Sequence, residues 1–306
     1  MDWQTEIKSA RDRIAPNVRR TPVMELRVDG VPHPVALKLE QMQHTGSFKV
    51  RGAFNTLLSR EVPDAGVVAA SGGNHGAAVA YAARQLGHAA RIFVPEIAGP
   101  SKTALIERTG ADLVVVKGAY ANALEAAQAY EADTGAMQIH AYDAQSTVAG
   151  QGSFMLEWEE QGLNADTVLI AVGGGGLIAG ALGWLAGRRK VVAVESETCN
   201  TLRAARMAGE PVDIQPSGLA ANALGARRIG EICFDMVEAQ NVQSLLVSDD
   251  AIAAAQALLW RETRQLVEPA GAAALAALTS GVYKPDEDER VAVLICGGNI
   301  APDPMA

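Results

Sequence analysis

Thr167-Val-Leu-Ile-Ala-Val172-Gly173-Gly174-Gly175-Gly176-Leu177-Ile-Ala-Gly180 is the stretch that decides the fold. Its first six residues form a short, continuous apolar run of strand length. Four glycines follow, and a helix is expected from Leu177. A strand with no polar alternation is buried on both faces, as in a parallel sheet covered by helices. Residues 167–187 carry no charge over 21 positions, about the length of a membrane span, but seven of them are glycine. Such a run breaks a helix and would leave backbone groups unpaired in lipid. It therefore reads as strand, loop and helix in a packed interior.

The same alternation repeats outward in both directions. Upstream, strands are expected over 66–70, 91–94, 112–116 and 138–140, and helices over 77–86, 101–109 and 121–134. Before them come a helix whose apolar face is Trp3, Ile7, Ala10 and Ile14, a strand signal over 34–40 and a helix over 48–58. Downstream, strands are expected over 190–194, 242–247 and 290–295. The helices there fall over 152–161, 177–186, 201–208, 220–232, 249–264 and 270–278, with Ser248 placed to cap the fifth. Two such series in 306 residues predict an α/β protein with two parallel-sheet domains.

Composition narrows the function. Hydrophobic residues at 49% and charged residues at 20% exclude disorder and coiled coil as the main state. A formal net charge of −9, with only short scattered basic pairs, argues against nucleic-acid and anionic-membrane partners. Cys199, Cys233 and Cys296 are too few and too far apart for a disulfide framework or a zinc site. Met1 to Arg13 is charged and lacks an apolar core, so no signal peptide is expected, and the cytoplasm is the expected compartment.

In open parallel sheets, ligands bind beyond the carboxyl ends of the strands. Three segments at such positions could carry chemistry. Gly173, Gly174, Gly175 and Gly176 bring backbone N–H groups to a helix N-terminus, a natural phosphate site; the competing reading is a tight turn. Gly174, Gly176 and Ala179 also match a loose dinucleotide fingerprint, and Glu195 stands where a ribose-binding acid would. A nicotinamide-dependent oxidoreductase is the rival this supports. Ser71-Gly72-Gly73-Asn74-His75-Gly76 offers N–H donors to a carboxylate, although Ser71 and Asn74 could simply cap a helix and His75 could simply pack. In Ser47-Phe48-Lys49-Val50-Arg51-Gly52, Lys49 lies between two apolar residues. A desolvated lysine there would be a nucleophile toward carbonyls, while a solvated one would be inert.

Taken in order, S-F-K-x-R-G-A, S-G-G-N-H-G, G-G-G-G-L-I-A-G and C-G-G-N resemble the fold type II pyridoxal-phosphate enzymes, closest to the serine/threonine dehydratase and serine racemase group. Arg20-Thr21-Pro22 and Glu268-Pro269-x-Gly271 fit as well, and the resemblance covers nearly the whole chain. It implies a tryptophan synthase β-like architecture with the cofactor between two α/β domains. Residues 1–60 with 144–306 would form the large cofactor-binding domain, and 61–143 a small mobile one.

The resemblance also implies roles. Lys49 would hold pyridoxal 5'-phosphate as a Schiff base and later act as general base. Phe48 would lie against the pyridine ring, Asn74 would bond its hydroxyl, residues 173–176 would hold the phosphate, and Cys296 would face the ring nitrogen. Ser71, Gly72, Asn74 and His75 would belong to the loop receiving the substrate carboxylate. The implied activity is that of a lyase converting L-threonine or L-serine to a 2-oxo acid and ammonia, with the cofactor phosphate protonating the leaving hydroxyl. A 3-hydroxyaspartate or ectoine-pathway dehydratase, a racemase, a β-replacement synthase and a non-enzymatic amino-acid binder are the alternatives.

Two departures from the family pattern stand out. The racemase branch has a second serine where this chain has Gly72, which cannot donate a proton. The family's divalent-cation site would begin at Glu195, where a strand-end surface acid is the favoured reading. The further acid that site requires is replaced by Thr201, with Glu197 as a substitute, which weighs against a bound cation. A homodimer is expected, and no C-terminal regulatory domain of the threonine-deaminase kind is expected after Asn299.

Overall fold

The computed structural model describes residues 1–118 and 120–300. Its strands are β1 (Val23–Leu26), β2 (Val35–Leu39), β3 (Val67–Ala70), β4 (Ala90–Pro95), β5 (Asp112–Val116), β6 (Met137–Gln138), β7 (Thr167–Ala171), β8 (Lys190–Ser196), β9 (Gln243–Val247) and β10 (Val291–Ile295). They form a six-stranded sheet ordered β1-β2-β10-β7-β8-β9 and a four-stranded sheet ordered β5-β4-β3-β6. Every pairing is parallel except that of β1 with β2, at the edge of the larger sheet.

The helices are α1 (Trp3–Ile14), α2 (Lys49–Leu58), α3 (Asn74–Gln85), α4 (Pro100–Glu107), α5 (Tyr120–Thr134), α6 (Gln145–Glu160), α7 (Gly176–Leu185), α8 (Thr201–Ala208), α9 (Ala221–Leu224), α10 (Glu231–Ala239), α11 (Asp249–Thr263) and α12 (Pro269–Thr279). They supply the crossovers that parallel strands require. The strands β3, β7 and β10 are buried at every residue, which is why their sequences run apolar without alternation. Helix α12 is alanine-rich and buries nine residues, 270–278, letting its backbone lie close to the sheet. Among the described residues, no helix is long and apolar enough to cross a membrane, and residues 167–187 form β7, a loop and α7.

Four departures from the sequence reading have physical causes. The helix expected over 220–232 is two helices, α9 and α10, with residues 225–230 irregular between them. The break lets the Gly230 N–H donate to the Gly174 carbonyl at 3.1 Å. The Asp143 carboxylate, from a distant loop, caps α10 through the N–H groups of Glu231 and Ile232. Helix α3 begins at Asn74 rather than Ala77, with Gly73 as an N-cap that makes no side-chain bond. Helix α6 begins at Gln145 rather than 152, because packing against α2 overrides the weak propensity of Thr147, Val148 and Gly150. The strand β1 went unread, being four residues long at a sheet edge.

A charged cluster is sealed beneath α2. The Arg51 guanidinium forks onto both oxygens of Glu40 at 2.8 Å and reaches Glu157 at 3.0 Å. Lys38 Nζ donates to Glu157 at 2.5 Å and to the Thr21 carbonyl at 2.9 Å. All four side chains are buried. Two cations thus meet two carboxylates, and the cluster ties β2, α2 and α6 together. Burial, the largest single influence, would push the Glu40 carboxyl up, but the charge and hydrogen bonds of Arg51 combined with Lys38 and Thr21 outweigh it and hold the group below the usual range.

Candidate active site

The larger sheet delivers a glycine bend at the end of β7. Gly175 has φ +89° and serves as the N-cap of α7, a left-handed conformation that side chains resist. A side chain at Gly174 would run into the Tyr142 ring. The carbonyls of this bend are taken: Thr201 Oγ1 donates to Gly173 at 2.7 Å, Gly230 N to Gly174, and Ala179 N to Gly175 at 3.0 Å. What the bend has left to offer is N–H, reinforced by the positive end of α7. The glycines thus form a tight turn, and its geometry is compatible with an anion at the same N–H groups.

Lys49 is brought to this bend by backbone pairing. Ser47 bridges Gly297, and Phe48 N donates to the Cys296 carbonyl at 3.2 Å. Lys49 and Cys296, far apart in sequence, therefore face one cleft. The Lys49 amine donates to the Ala141 carbonyl at 2.8 Å and lies 5.1 Å from the Phe48 ring centre. Burial pulls this amine down to about 8, with Cys296 and Glu268 opposing the shift. The Cys296 thiol donates to the Ala270 carbonyl at 3.4 Å, and burial pushes it well above the ordinary thiol range, so it keeps its proton.

The cleft is lined by Phe48, Lys49, Asn74, Tyr142, Ala171, the glycine bend and Leu177, and further by Ala223, Leu224, Glu268, Ala270 and Cys296. Asn74, Tyr142, the glycine bend and Cys296 directly follow β3, β6, β7 and β10, the carboxyl ends of strands in both sheets, while Phe48 and Lys49 come from the start of α2, Ala223 and Leu224 from α9, and Glu268 and Ala270 from the start of α12. Phe48, Lys49, Asn74, residues 173–176 and Cys296 are thus brought together as expected positions. Ser71, Gly72 and His75 do not line the cleft. Ser71 Oγ accepts from Gly73 N at 3.2 Å. A side chain at Gly72 would meet Ala98 and Val94 at 2.5 and 2.7 Å. The His75 ring, 7% exposed, bonds the Ile139 carbonyl at 2.8 Å, and burial pulls it down to about 3, so it is neutral. Asn74 does not cap α3; its side chain turns to Glu268.

Glu195 corrects the sequence reading outright. It is fully buried, not a surface acid, and its oxygens accept from Leu202 N at 2.7 Å and Arg203 N at 3.0 Å at the start of α8. Burial pushes its carboxyl up to about 7. Tyr142 is not among the residues the sequence singles out, and Glu268 and Asn299 appear there only as parts of motifs. The available signal was position: Tyr142 follows β6, and Asn299 follows the glycines after β10.

These side chains fit pyridoxal phosphate on their own chemistry. The cleft holds an amine with a lowered proton affinity, an N–H bend whose cradle a side chain at 174 would fill, an aromatic face and a neutral thiol. A family model described as pyridoxal-phosphate dependent enzyme matches residues 14–297. The chain is 35% identical over 302 residues to a phenylserine dehydratase from Ralstonia pickettii, covering 96% of this chain and 92% of the relative. It is 34% identical over 271 residues to an L-threonine ammonia-lyase from Thermotoga maritima, covering 87% of this chain and 67% of the relative. Among solved structures, that of maize serine racemase matches with a TM-score of 0.92 at 30% identity, covering 99% of this chain and 95% of the other.

Proposed function

Because the chain belongs to the pyridoxal-phosphate-dependent enzymes, we propose that it is a dehydratase converting a β-hydroxy amino acid, L-threonine or L-serine, to a 2-oxo acid and ammonia. The observation that carries this reading is the pairing, in one cleft, of a lysine base with a thiol that stays neutral. Bound pyridoxal phosphate supplies an aldehyde for the substrate amine and a conjugated ring that takes up electrons released at the α-carbon.

The protein supplies the rest. N–H groups of residues 173–176 hold the phosphate. The first-turn N–H groups of α3, at 74–76, have no partner inside the helix and receive the substrate carboxylate. Lys49 Nζ, unprotonated above about pH 8, accepts the α-proton. Cys296 keeps its proton and cannot charge a ring nitrogen, and the weaker electron demand favours prompt departure of the β-hydroxyl over slow reprotonation at the α-carbon. Over the whole reaction one water is lost and one regained, leaving the 2-oxo acid and ammonia.

Purified protein with pyridoxal phosphate is expected to release 2-oxobutyrate from L-threonine and pyruvate from L-serine. If neither reacts while phenylserine or 3-hydroxyaspartate does, the substrate assignment fails but the reaction class stands. If no β-hydroxy amino acid reacts, the class fails. Racemisation needs a second acid–base group on the opposite face, and position 72 has neither a side chain nor room for one. Chiral analysis of recovered L-serine is therefore expected to show no D-serine, and the same for Gly72→Ser. D-Serine accumulating as fast as pyruvate would contradict this. The same reading carries a homodimer in the cytoplasm, the first of which light scattering tests.

A further inference from the structure

We propose that Glu268 and Asn299 are positioning residues that lock the Asn74 amide so that it can only donate toward the cleft, holding the cofactor's ring oxygen as an anion. The inference rests on the cofactor reading above and concerns a hydrogen-bond chain that the reaction itself does not use.

Asn299 Nδ2 donates to the Thr45 carbonyl and to Asn74 Oδ1, both at 2.7 Å. Both of its hydrogens are thereby spent, and the Asn74 oxygen has a donor. On the other side, Asn74 Nδ2 donates to Glu268 Oε1 at 2.6 Å. A carboxylate only accepts, so turning the Asn74 amide over would set oxygen against oxygen at one end and nitrogen against nitrogen at the other. Glu268 is itself fixed: it is 4% exposed, stands as the N-cap residue of α12, and lies where any side chain at Gly297 would run into it.

One hydrogen therefore remains on Asn74 Nδ2 for whatever sits in the cleft that Asn74 lines. A hydroxyl could ordinarily accept from an amide or donate to it. Facing Asn74 it can only accept, and a bond to the charged form favours that form. The other titratable groups lining the cleft are Lys49, Tyr142, Glu268 and Cys296. Of these, Lys49 supports an anion, while the Glu268 charge opposes one. Orientation and charge thus pull in opposite directions when Glu268 is altered, and this makes them separable.

The test is the absorption spectrum of the loaded protein at one fixed pH, without substrate. With its ring oxygen deprotonated the lysine-bound cofactor is yellow; with it protonated, absorption moves to the near ultraviolet. Glu268→Ala is expected to lower the ratio of yellow to near-ultraviolet form about tenfold, because only the Asn299 contact then opposes a turned-over Asn74 amide that presents its oxygen. Glu268→Gln keeps an acceptor for Asn74 Nδ2 and removes the charge, and is expected to leave the ratio unchanged or raise it. Should Glu268→Ala fail to fold, Asn299→Ala carries the same expected direction. A ratio that rises in both Glu268 variants means the carboxylate acts through charge alone and overturns the proposal, as does a ratio that stays fixed in the alanine variants. A wild-type protein with no visible band overturns the cofactor reading, and this inference with it.

Discussion

Lys49→Ala protein incubated with pyridoxal phosphate stays colourless, and its turnover of L-threonine falls about 10⁴-fold below wild type. Alanine removes both the amine that captures the aldehyde and the base that takes the α-proton. Lys49→Arg fares no better, because a guanidinium keeps its charge at every accessible pH. The pH dependence carries the same signature. Only the unprotonated amine attacks an aldehyde, and burial pulls Lys49 Nζ down to about 8. The initial rate of colour formation in cofactor-free wild type is therefore expected to rise about tenfold per pH unit toward 8 and to level off above it. An exposed lysine would keep rising toward 10. Full colour and turnover in Lys49→Ala would remove the basis of the proposed function.

Arg51→Met lowers stability by about 3–5 kcal/mol, read as an apparent Tm roughly 10 °C lower. Lys38, Glu40, Arg51 and Glu157 sum to zero charge in a largely buried site. Removing Arg51 leaves two buried carboxylates facing one ammonium. The cost comes from that uncompensated charge more than from the lost contacts, and a second substitution checks this. Arg51→Met with Glu40→Met restores neutrality, leaving Lys38 paired with Glu157, and is expected to recover more than half of the lost stability. Additive losses in the double variant would show that packing, not charge balance, governs the cluster.

The residues that were legible from sequence are those whose meaning is local. A run of apolar residues, four glycines and a helix can be read in place, and so can Cys296-Gly297-Gly298-Asn299 after the strand at 291–295. Lys49 was different. Its neighbours Phe48 and Val50 fit a nucleophile or an inert surface amine, and only the joint order of four motifs pointed to the cofactor. The burial that lowers its proton affinity comes from loops after β6 and β10, which no window around position 49 contains.

The misreadings share that cause. Glu195 looked like a surface acid because it ends a strand; it is covered by the start of α8, which its own carboxylate caps. The apolar pattern over 220–232 supports a helix, yet Gly174 and Asp143, both distant in sequence, require the chain to stop and restart there. Tyr142 acquires meaning only when the ends of two sheets meet.

The place of β10 between β2 and β7 has a consequence for biosynthesis. On the ribosome, the first two strands of the larger sheet emerge early and must wait, without their neighbour, until residues 291–295 clear the exit tunnel. Until that insertion neither hydrophobic face is sealed, and no vitamin can be captured. A message truncated before codon 291 would therefore yield not a weaker catalyst but a chain with a central gap in its sheet, recognisable by proteases as unfinished.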